Sequence, residues 1–325
     1  MQKNLPWLEA VVVSHRDVTP TVREFTLQVP DGVRPYDPGS HLQLQVLVNG
    51  KPQTRSYSLV GLPDASGYRI ADKRLDAGRG GSLAMWRLAA GDRLRITEPQ
   101  NHFPLDLSAP GYLLVAGGIG VTPMVLMALT LKQRGANIRM LFGARSQAEL
   151  AFSDVLHQQI ASHLQTVTAD EGAQIAFDTE IDGLPQGALM YVCGPLPMLD
   201  AARAAWSRAG RPLADLRFET FGSSGRYAPQ AFQVRVPRHQ LDITVAQDAS
   251  LLETLEGAGV QAMYGCRRGE CGLCAMNVLA LDGEIDHRDV FLSAHEKAAN
   301  QRMCVCVSRV LGSVTLESAY RPESA

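Results

Sequence analysis

Cys266-Arg267-Arg268-Gly269-Glu270-Cys271-Gly272-Leu273-Cys274 sets three cysteines in a C-x4-C-x2-C run. Some thirty residues on stands Arg302-Met303-Cys304-Val305-Cys306-Val307-Ser308-Arg309, so that five of the six cysteines of the chain fall in two short segments. Three thiolates from one tight loop, joined by a fourth from a distant segment, are what two bridged irons need. Such a loop must turn sharply, and Gly265, Gly269 and Gly272 give the backbone that freedom while letting amide N–H groups approach the sulfurs.

The spacing is that of a plant-type [2Fe-2S] ferredoxin, and it predicts single-electron chemistry. Zinc is the competing reading, but structural zinc sites usually use close cysteine pairs, and here there is one C-x2-C pair with a cysteine five positions upstream. Disulfides fit less well, because the sequence shows no secretory signal and is too long for a small stapled scaffold. The fourth ligand has two candidates. Cys304 gives the plant-ferredoxin gap of twenty-nine residues, whereas Cys306 opens Cys-Val-Ser-Arg at a suitable distance before the strand Ser313–Glu317. Residues i and i+2 of an extended segment share a face, so geometry alone does not choose. We favour Cys306, since an insertion near Leu281-Asp282 lengthens the gap without moving the strand.

With 325 residues, 46% hydrophobic and 20% charged, the chain is sized for roughly two or three domains at ~150 residues each. A net charge of -2 argues against nucleic acid as a partner. One uncharged run, Tyr112 to Leu131, has the length of a membrane span, yet its interior Gly117-Gly118-Ile119-Gly120-Val121-Thr122-Pro123 reads as strand, glycine turn and helix start. We therefore expect no membrane span, and cluster-ligating thiols point to the cytoplasm.

The expected fold is multidomain. Residues 1–106 carry short alternating strands at Glu9–Val13, Val22–Leu27, His41–Val46 and Arg93–Ile96 between Gly/Pro turns, which predicts an antiparallel β-barrel. Residues 107–225 alternate apolar strands with helices: Tyr112–Ala116, a helix over 123–134, Asn137–Gly143, Met190–Cys193, a helix over 198–209 and a last strand from Leu216 to Phe221. That texture predicts a parallel sheet covered on both faces. Gly222-Ser223-Ser224-Gly225 reads as a linker. Residues 230–325 place a hairpin, Phe232–Val236 with Gln240–Val245, before a helix over 250–258 and the cysteine loop, the order of a β-grasp ferredoxin.

Two strand-to-helix turns of the middle segment suit a dinucleotide. In the first, glycines including Gly118 and Gly120 open the backbone to a pyrophosphate, Thr122 is expected to cap the helix and Pro123 fits its first turn. Pro123 stands where the dinucleotide fingerprint has its third glycine. The second, Cys193-Gly194-Pro195, ends a neighbouring strand, where open α/β sheets bind ligands; a buried thiol packing a turn is the bland alternative. In the first domain, Arg55-Ser56-Tyr57-Ser58 offers a cation, a ring and hydroxyls, with Arg55 and Tyr57 on one face and the serines on the other. Gly80-Gly81-Ser82 precedes a helical Leu83–Trp86, so Ser82 as N-cap makes a phosphate site, with Arg55, Lys73, Arg74 or Arg79 for charge. A solvated basic loop is the plainer account of at least two of these cations.

These motifs, in this order, resemble the phthalate dioxygenase reductase family, the flavin and iron–sulfur reductases of Rieske-type oxygenases. The match runs through Arg55-x-Tyr57-Ser58, Gly80-Gly81-Ser82, the Gly117–Pro123 turn, Cys193-Gly194-Pro195, Phe218-Glu219-x-Phe221, the cysteine loop, Asp286-His287-Arg288-Asp289 and Cys306-Val307-Ser308-Arg309. The resemblance implies a barrel holding FMN, an NAD domain and a C-terminal ferredoxin. It implies that Arg55, Tyr57 and Ser58 line the flavin, that Gly80, Gly81 and Ser82 hold its phosphate, that Phe221 stacks on its ring and that Cys193 sits near the hydride path. Cys266, Cys271, Cys274 and Cys306 then ligate the cluster, and residues 286–289 support it structurally. NADH would give a hydride to the flavin, which passes electrons singly to the cluster and on to a terminal oxygenase, with Arg267, Arg268 and Glu270 available to orient that partner. Arg145, at the end of the second strand, bears on the choice between NADH and NADPH. A reductase serving a diiron oxygenase or a separate ferredoxin is the runner-up, a zinc-binding interaction protein the non-enzyme alternative. A monomer is expected.

Overall fold

The computed structural model describes residues 6–76, 78–221 and 225–318, so most of the expected 222–225 linker lies outside the described residues. Two compact units emerge. One comprises the residues up to Asp76 with Gly81–Glu219, the other Thr220 onward with the short turn 78–80.

Alternation of apolar and polar residues shapes the first part of the first unit. β1 (Trp7–Thr19), β2 (Val22–Gln28), β3 (Ser40–Val48), β4 (Lys51–Ser58), β5 (Tyr68–Lys73), β6 (Arg93–Thr97) and the short β7 (Gln100–Asn101) make one antiparallel sheet, ordered β4-β3-β6-β1-β2-β5 with β7 on β3. A bridge between Leu59 and Ile70 joins the strands at its two ends, which closes the sheet into a barrel. Ala10, Val12, Phe25, Leu27, Leu42, Leu44, Ile70 and Ile96 fill the interior. The short helix α1 (Gly81–Trp86) adds Met85 to that core. It begins two residues earlier than expected, so Ser82 lies inside the helix and is not its N-cap; its hydroxyl accepts a hydrogen bond from the Leu75 N–H at 3.0 Å.

The second part of this unit is a parallel sheet, and its strands are buried because helices cover them. Along the chain come β8 (Tyr112–Gly117), α2 (Val121–Gln133), β9 (Ile138–Ala144), α3 (Ser153–Ile160), β10 (Leu164–Thr168), α4 (Phe177–Asp182), β11 (Leu189–Cys193), α5 (Leu196–Arg208) and β12 (Leu216–Glu219). Their order is β10-β9-β8-β11-β12. The uncharged run from Tyr112 is thus strand, turn and helix, and no helix among the described residues is long and apolar enough to cross a membrane. Strand order reverses between β8 and β11, and the carboxyl ends of these neighbours open the crevice where α/β sheets take ligands.

The second unit holds β13 (Phe232–Val236), β14 (Leu241–Val245), α6 (Leu251–Gly257), β15 (Ala275–Asp286), α7 (Ala294–Ala299), β16 (Arg302–Cys304) and β17 (Arg309–Glu317), ordered β14-β13-β17-β15-β16. β13 runs parallel to β17 and the other pairs are antiparallel. Ser250 starts α6 through a reciprocal cap: its hydroxyl accepts from Glu253 N–H at 3.1 Å, and the Glu253 carboxylate accepts from Ser250 N–H at 2.8 Å. Its Leu252 and Leu255 share a core with Val234, Val314 and Leu316 of the sheet.

Candidate active site and cluster site

At the crevice of the parallel sheet, two turns approach so closely that only glycine fits. A Cβ on Gly120 would collide with the Cys193 carbonyl oxygen. A Cβ on Gly194 would lie 2.8 Å from Met198 Sδ and 3.1 Å from the Gly117 Cα, and one on Gly117 2.7 Å from Pro195 Cδ. Gly118 has a positive φ of 52°. A Cβ there would meet only Lys73 Nζ, at 3.9 Å, so the turn faces open space and a cation, which suits a pyrophosphate. Pro123 occupies the first turn of α2, but Thr122 does not cap it; its hydroxyl donates back to the Ile119 carbonyl at 3.0 Å. Arg145 is exposed just past β9, where its carbonyl accepts from Asp170 N–H.

Cys193 is fully buried, in register between Ala116 of β8 and Glu219 of β12. Glu219, 1% exposed, accepts a hydrogen bond from the Ser58 hydroxyl at 3.3 Å. Sequence reasoning quoted Glu219 within a motif but gave it no role. The signal available was an acidic residue at the carboxyl end of a parallel strand, where open α/β sheets take ligands.

Along β4, Tyr57 stands opposite Leu42 and Arg55 opposite Leu44, while Ser58 faces His41 and Ser56 faces Gln43. The expected two-face split therefore holds, with Arg55 and Tyr57 on the core side. The Tyr57 hydroxyl donates to Asp72 Oδ1 at 3.0 Å. Arg55 donates to Gln53 and to the Thr54 carbonyl, and its Nε would lie 2.6 Å from a Cβ on Gly81, so the arginine and the start of α1 meet as expected. Gly80, at φ 82°, makes the turn just before. The other cations part company. Arg74 pairs with Asp76 at 3.2 Å, and its guanidinium lies over the Trp86 ring. Lys73 lies 3.5 Å from Glu149, beside the Gly118 turn. Phe221 is half-buried two residues beyond β12.

In the cysteine loop, the Cys266 sulfur accepts three backbone N–H bonds, from Arg268 at 3.4 Å, Glu270 at 3.3 Å and Cys271 at 3.4 Å. Cys271 Sγ in turn accepts from Cys266 N–H at 3.5 Å. Cys274 and Cys306 sulfurs lie 3.1 Å apart. Hydrogen bonds from Cys304 and then Cys306 bring the Cys274 thiol down to about 4, while the same bonds and burial push the Cys304 and Cys306 thiols up. Burial raises Cys266 against its amide bonds. A cysteine-rich donor set with amides aimed at sulfur fits an iron–sulfur cluster. The loop's charges are engaged internally. Arg267 pairs with Glu256 at 2.9 Å and covers the Tyr264 ring at 3.9 Å, Arg268 pairs with Glu270 at 3.3 Å, and Glu270 also accepts from Thr220 N–H. Arg288 and Asp286 form a buried pair at 2.6 Å, and Asp289 accepts from Leu292 N–H and the Ser308 hydroxyl, a structural network within this domain.

Comparison with known proteins accounts for these sites together. The family described as oxidoreductase FAD-binding domain matches residues 9–104, the oxidoreductase NAD-binding domain matches 114–204, and the 2Fe-2S iron-sulfur cluster binding domain matches 235–311. A solved structure of phthalate dioxygenase reductase, described as modular for electron transfer from pyridine nucleotides to [2Fe-2S], superposes with a TM-score of 0.81 at 31% identity, covering 96% of this chain and 98% of the other. The chain belongs to the phthalate dioxygenase reductase family. Among curated relatives of this reductase, the heme-dependent oxidative N-demethylase beta subunit of Ectopseudomonas mendocina is 36% identical over 95% of this chain and 98% of its own. The phthalate 4,5-dioxygenase oxygenase reductase subunit of Pseudomonas putida is 32% identical over 93% and 94%. The protein is an NADH-dependent oxidoreductase of this family, with FMN, NAD and a [2Fe-2S] cluster as its cofactors.

Proposed function

We propose that the chain delivers electrons to the terminal component of a Rieske-type oxygenase, as a cytoplasmic monomer with domains at 1–106, 107–225 and 230–325. What carries this reading is that full-length relatives are named as reductase subunits of oxygenase systems, such as the carnitine monooxygenase reductase subunit of Acinetobacter baumannii, 31% identical over 96% of this chain and 98% of its own.

In this reading Arg55, Ser56, Tyr57 and Ser58 line the flavin, with Gly80, Gly81 and Ser82 at its phosphate and Phe221 against its ring. Gly118, Gly120, Thr122, Pro123, Arg145, Gly194 and Pro195 receive the dinucleotide. Lys73, beside Gly118, serves that pyrophosphate, while Arg74 is paired with Asp76. FMN held by these residues would supply acceptance of a hydride from NADH and single-electron donation to the cluster. Glu219 holds the Ser58 hydroxyl in one orientation, and burial of both keeps water from them. Cys193, next to Glu219, borders the hydride path. Cys266, Cys271, Cys274 and Cys306 hold the cluster, and the amides on Cys266 stabilise negative charge on its sulfur.

Cys271 is the exposed cysteine of the six. Leu273 (52% exposed) sits with it against Gly265, Phe291 (43%) lies against Gly272, and Met263 (49%) precedes the loop, so the accepting protein meets an apolar rim there. A second reading has a haem protein as acceptor, favoured by the N-demethylase relative. The test is to reduce the holoprotein anaerobically with NADH and mix it with a purified Rieske-type oxygenase component. Reoxidation of the cluster within one turnover is expected. Reoxidation by a haem oxygenase while the Rieske component stays oxidised would install the second reading.

A further inference from the structure

We propose that Asp72 is a positioning residue for the flavin: acting through Tyr57, it holds the ring that lines FMN and makes FMN retention depend on pH. The inference rests on the reading that Tyr57 lines the flavin.

Asp72 sits on β5, 5% exposed, among residues of the barrel. One carboxyl oxygen accepts the Tyr57 hydroxyl at 3.0 Å, and the other is buried with no hydrogen-bond partner among the described residues. A buried carboxylate whose nearest donors are neutral is costly to ionise. The charges around it are engaged elsewhere. On β2, Arg23 stands directly opposite Asp72 but pairs with Asp17 at 2.6 Å and donates to the Trp86 carbonyl. On β4, Arg55 is bonded to Gln53 and the Thr54 carbonyl, although its charge still favours an ionised Asp72. On α1, Trp86 brings a buried indole N–H that makes no hydrogen bond of ordinary geometry, yet its pull on the carboxyl favours the ionised form. On β5 itself, the following residue Lys73 lies with Glu149, and Arg74, just beyond the strand, lies with Asp76. Burial outweighs these and pushes the Asp72 carboxyl up to about 7, with the Tyr57 hydrogen bond, the Trp86 indole and the Arg55 charge opposing in that order.

Two states follow. Below neutrality Asp72 is a neutral acid that accepts from Tyr57 and adds no charge to the flavin wall. Above it, a buried negative charge stands behind the tyrosine, where it repels the FMN phosphate and competes for Arg55. FMN binding should therefore weaken as pH rises through 7.

The measurement is the FMN dissociation constant of the full-length protein between pH 5.5 and 8.5, followed by recovery of free-flavin fluorescence. We expect the wild-type constant to rise roughly three- to tenfold relative to Asp72→Asn across that range. Titration of the FMN phosphate is common to both proteins and cancels in the ratio. Asp72→Val should also be flat, at a weaker overall affinity because Tyr57 loses its acceptor. The cluster absorbance in the same chain reports that each variant is folded. Superimposable profiles for wild type and Asp72→Asn would overturn the proposal. If Tyr57→Ala leaves FMN affinity unchanged at every pH, the flavin reading itself fails, an outcome distinct from the first.

Discussion

The cysteine loop and the Ser58–Glu219 pair build their chemistry in opposite ways. In the loop, three candidate ligands and the amides that serve Cys266 come from nine consecutive residues. At the other site, a barrel hydroxyl meets a carboxylate 161 positions away. A local motif needs only the right turn, whereas a convergent pair needs both a closed barrel and a parallel sheet. Damage to the first should stay local, and damage to the second should track the fold.

The largest expected effect tests how local the loop is. Cys306→Ser should remove essentially all bound iron and the visible cluster absorbance while flavin and NADH binding persist, and Cys304→Ser should keep its iron. Iron analysis of the two variants decides between the candidate ligands, and the reverse result would reassign the fourth. Next, Gly120→Ala drives a methyl group into the Cys193 carbonyl and should cost about 1–3 kcal/mol of stability along with most NADH oxidation. Wild-type melting and turnover in this variant would mean that the two turns are less tightly apposed than described. Glu219→Gln keeps the shape of the side chain but weakens its hold on Ser58. Flavin reduction by NADH, read by stopped flow, should slow roughly ten- to a hundredfold with cluster content unchanged.

A smaller effect concerns Asp72. Its folded value of about 7 lies above the ordinary 3.8, so the folded state binds the proton more tightly, and stability is lost as pH rises from about 4 through 7. The melting temperature of Asp72→Asn minus wild type should grow by several degrees between pH 5 and pH 8. A constant difference would place Asp72 outside the titrating set. The smallest effect is on partner recognition. Because Arg267, Arg268 and Glu270 are paired internally, moderate salt should change the acceptor's KM by less than about twofold, whereas Leu273→Ser should raise it several-fold. Strong salt dependence would return recognition to the charges.

Sequence periodicity disclosed four strands of the barrel, the parallel sheet and the ferredoxin segment, since each repeats an apolar pattern over several residues. Among the elements it did not disclose are β5, α3, β10 and α4, short elements whose polar residues hide the pattern. The cysteine ligands were legible because their spacing is itself the geometry. Glu219 was not, because its meaning depends on Ser58, and nothing in a linear reading brings those residues together. Lys73 reads in sequence as one of four alternative cations for the flavin phosphate, whereas in the fold its ammonium lies beside Gly118. Ser82 and Thr122 looked like helix caps by residue type, yet each helix begins one residue before them and their hydroxyls bond elsewhere.

β12 ends at Glu219, and the next residue, Thr220, already belongs to the unit that carries the cysteine loop. The flavin-binding and cluster-binding parts are therefore tethered at a fixed one-to-one stoichiometry, and electron passage between them is a first-order event whose rate does not fall on dilution. Apart from the arrival of NADH, only the final hand-over is bimolecular, so the concentrations of NADH and of the accepting protein, and not that of the reductase's own parts, set how the cell can throttle the flow.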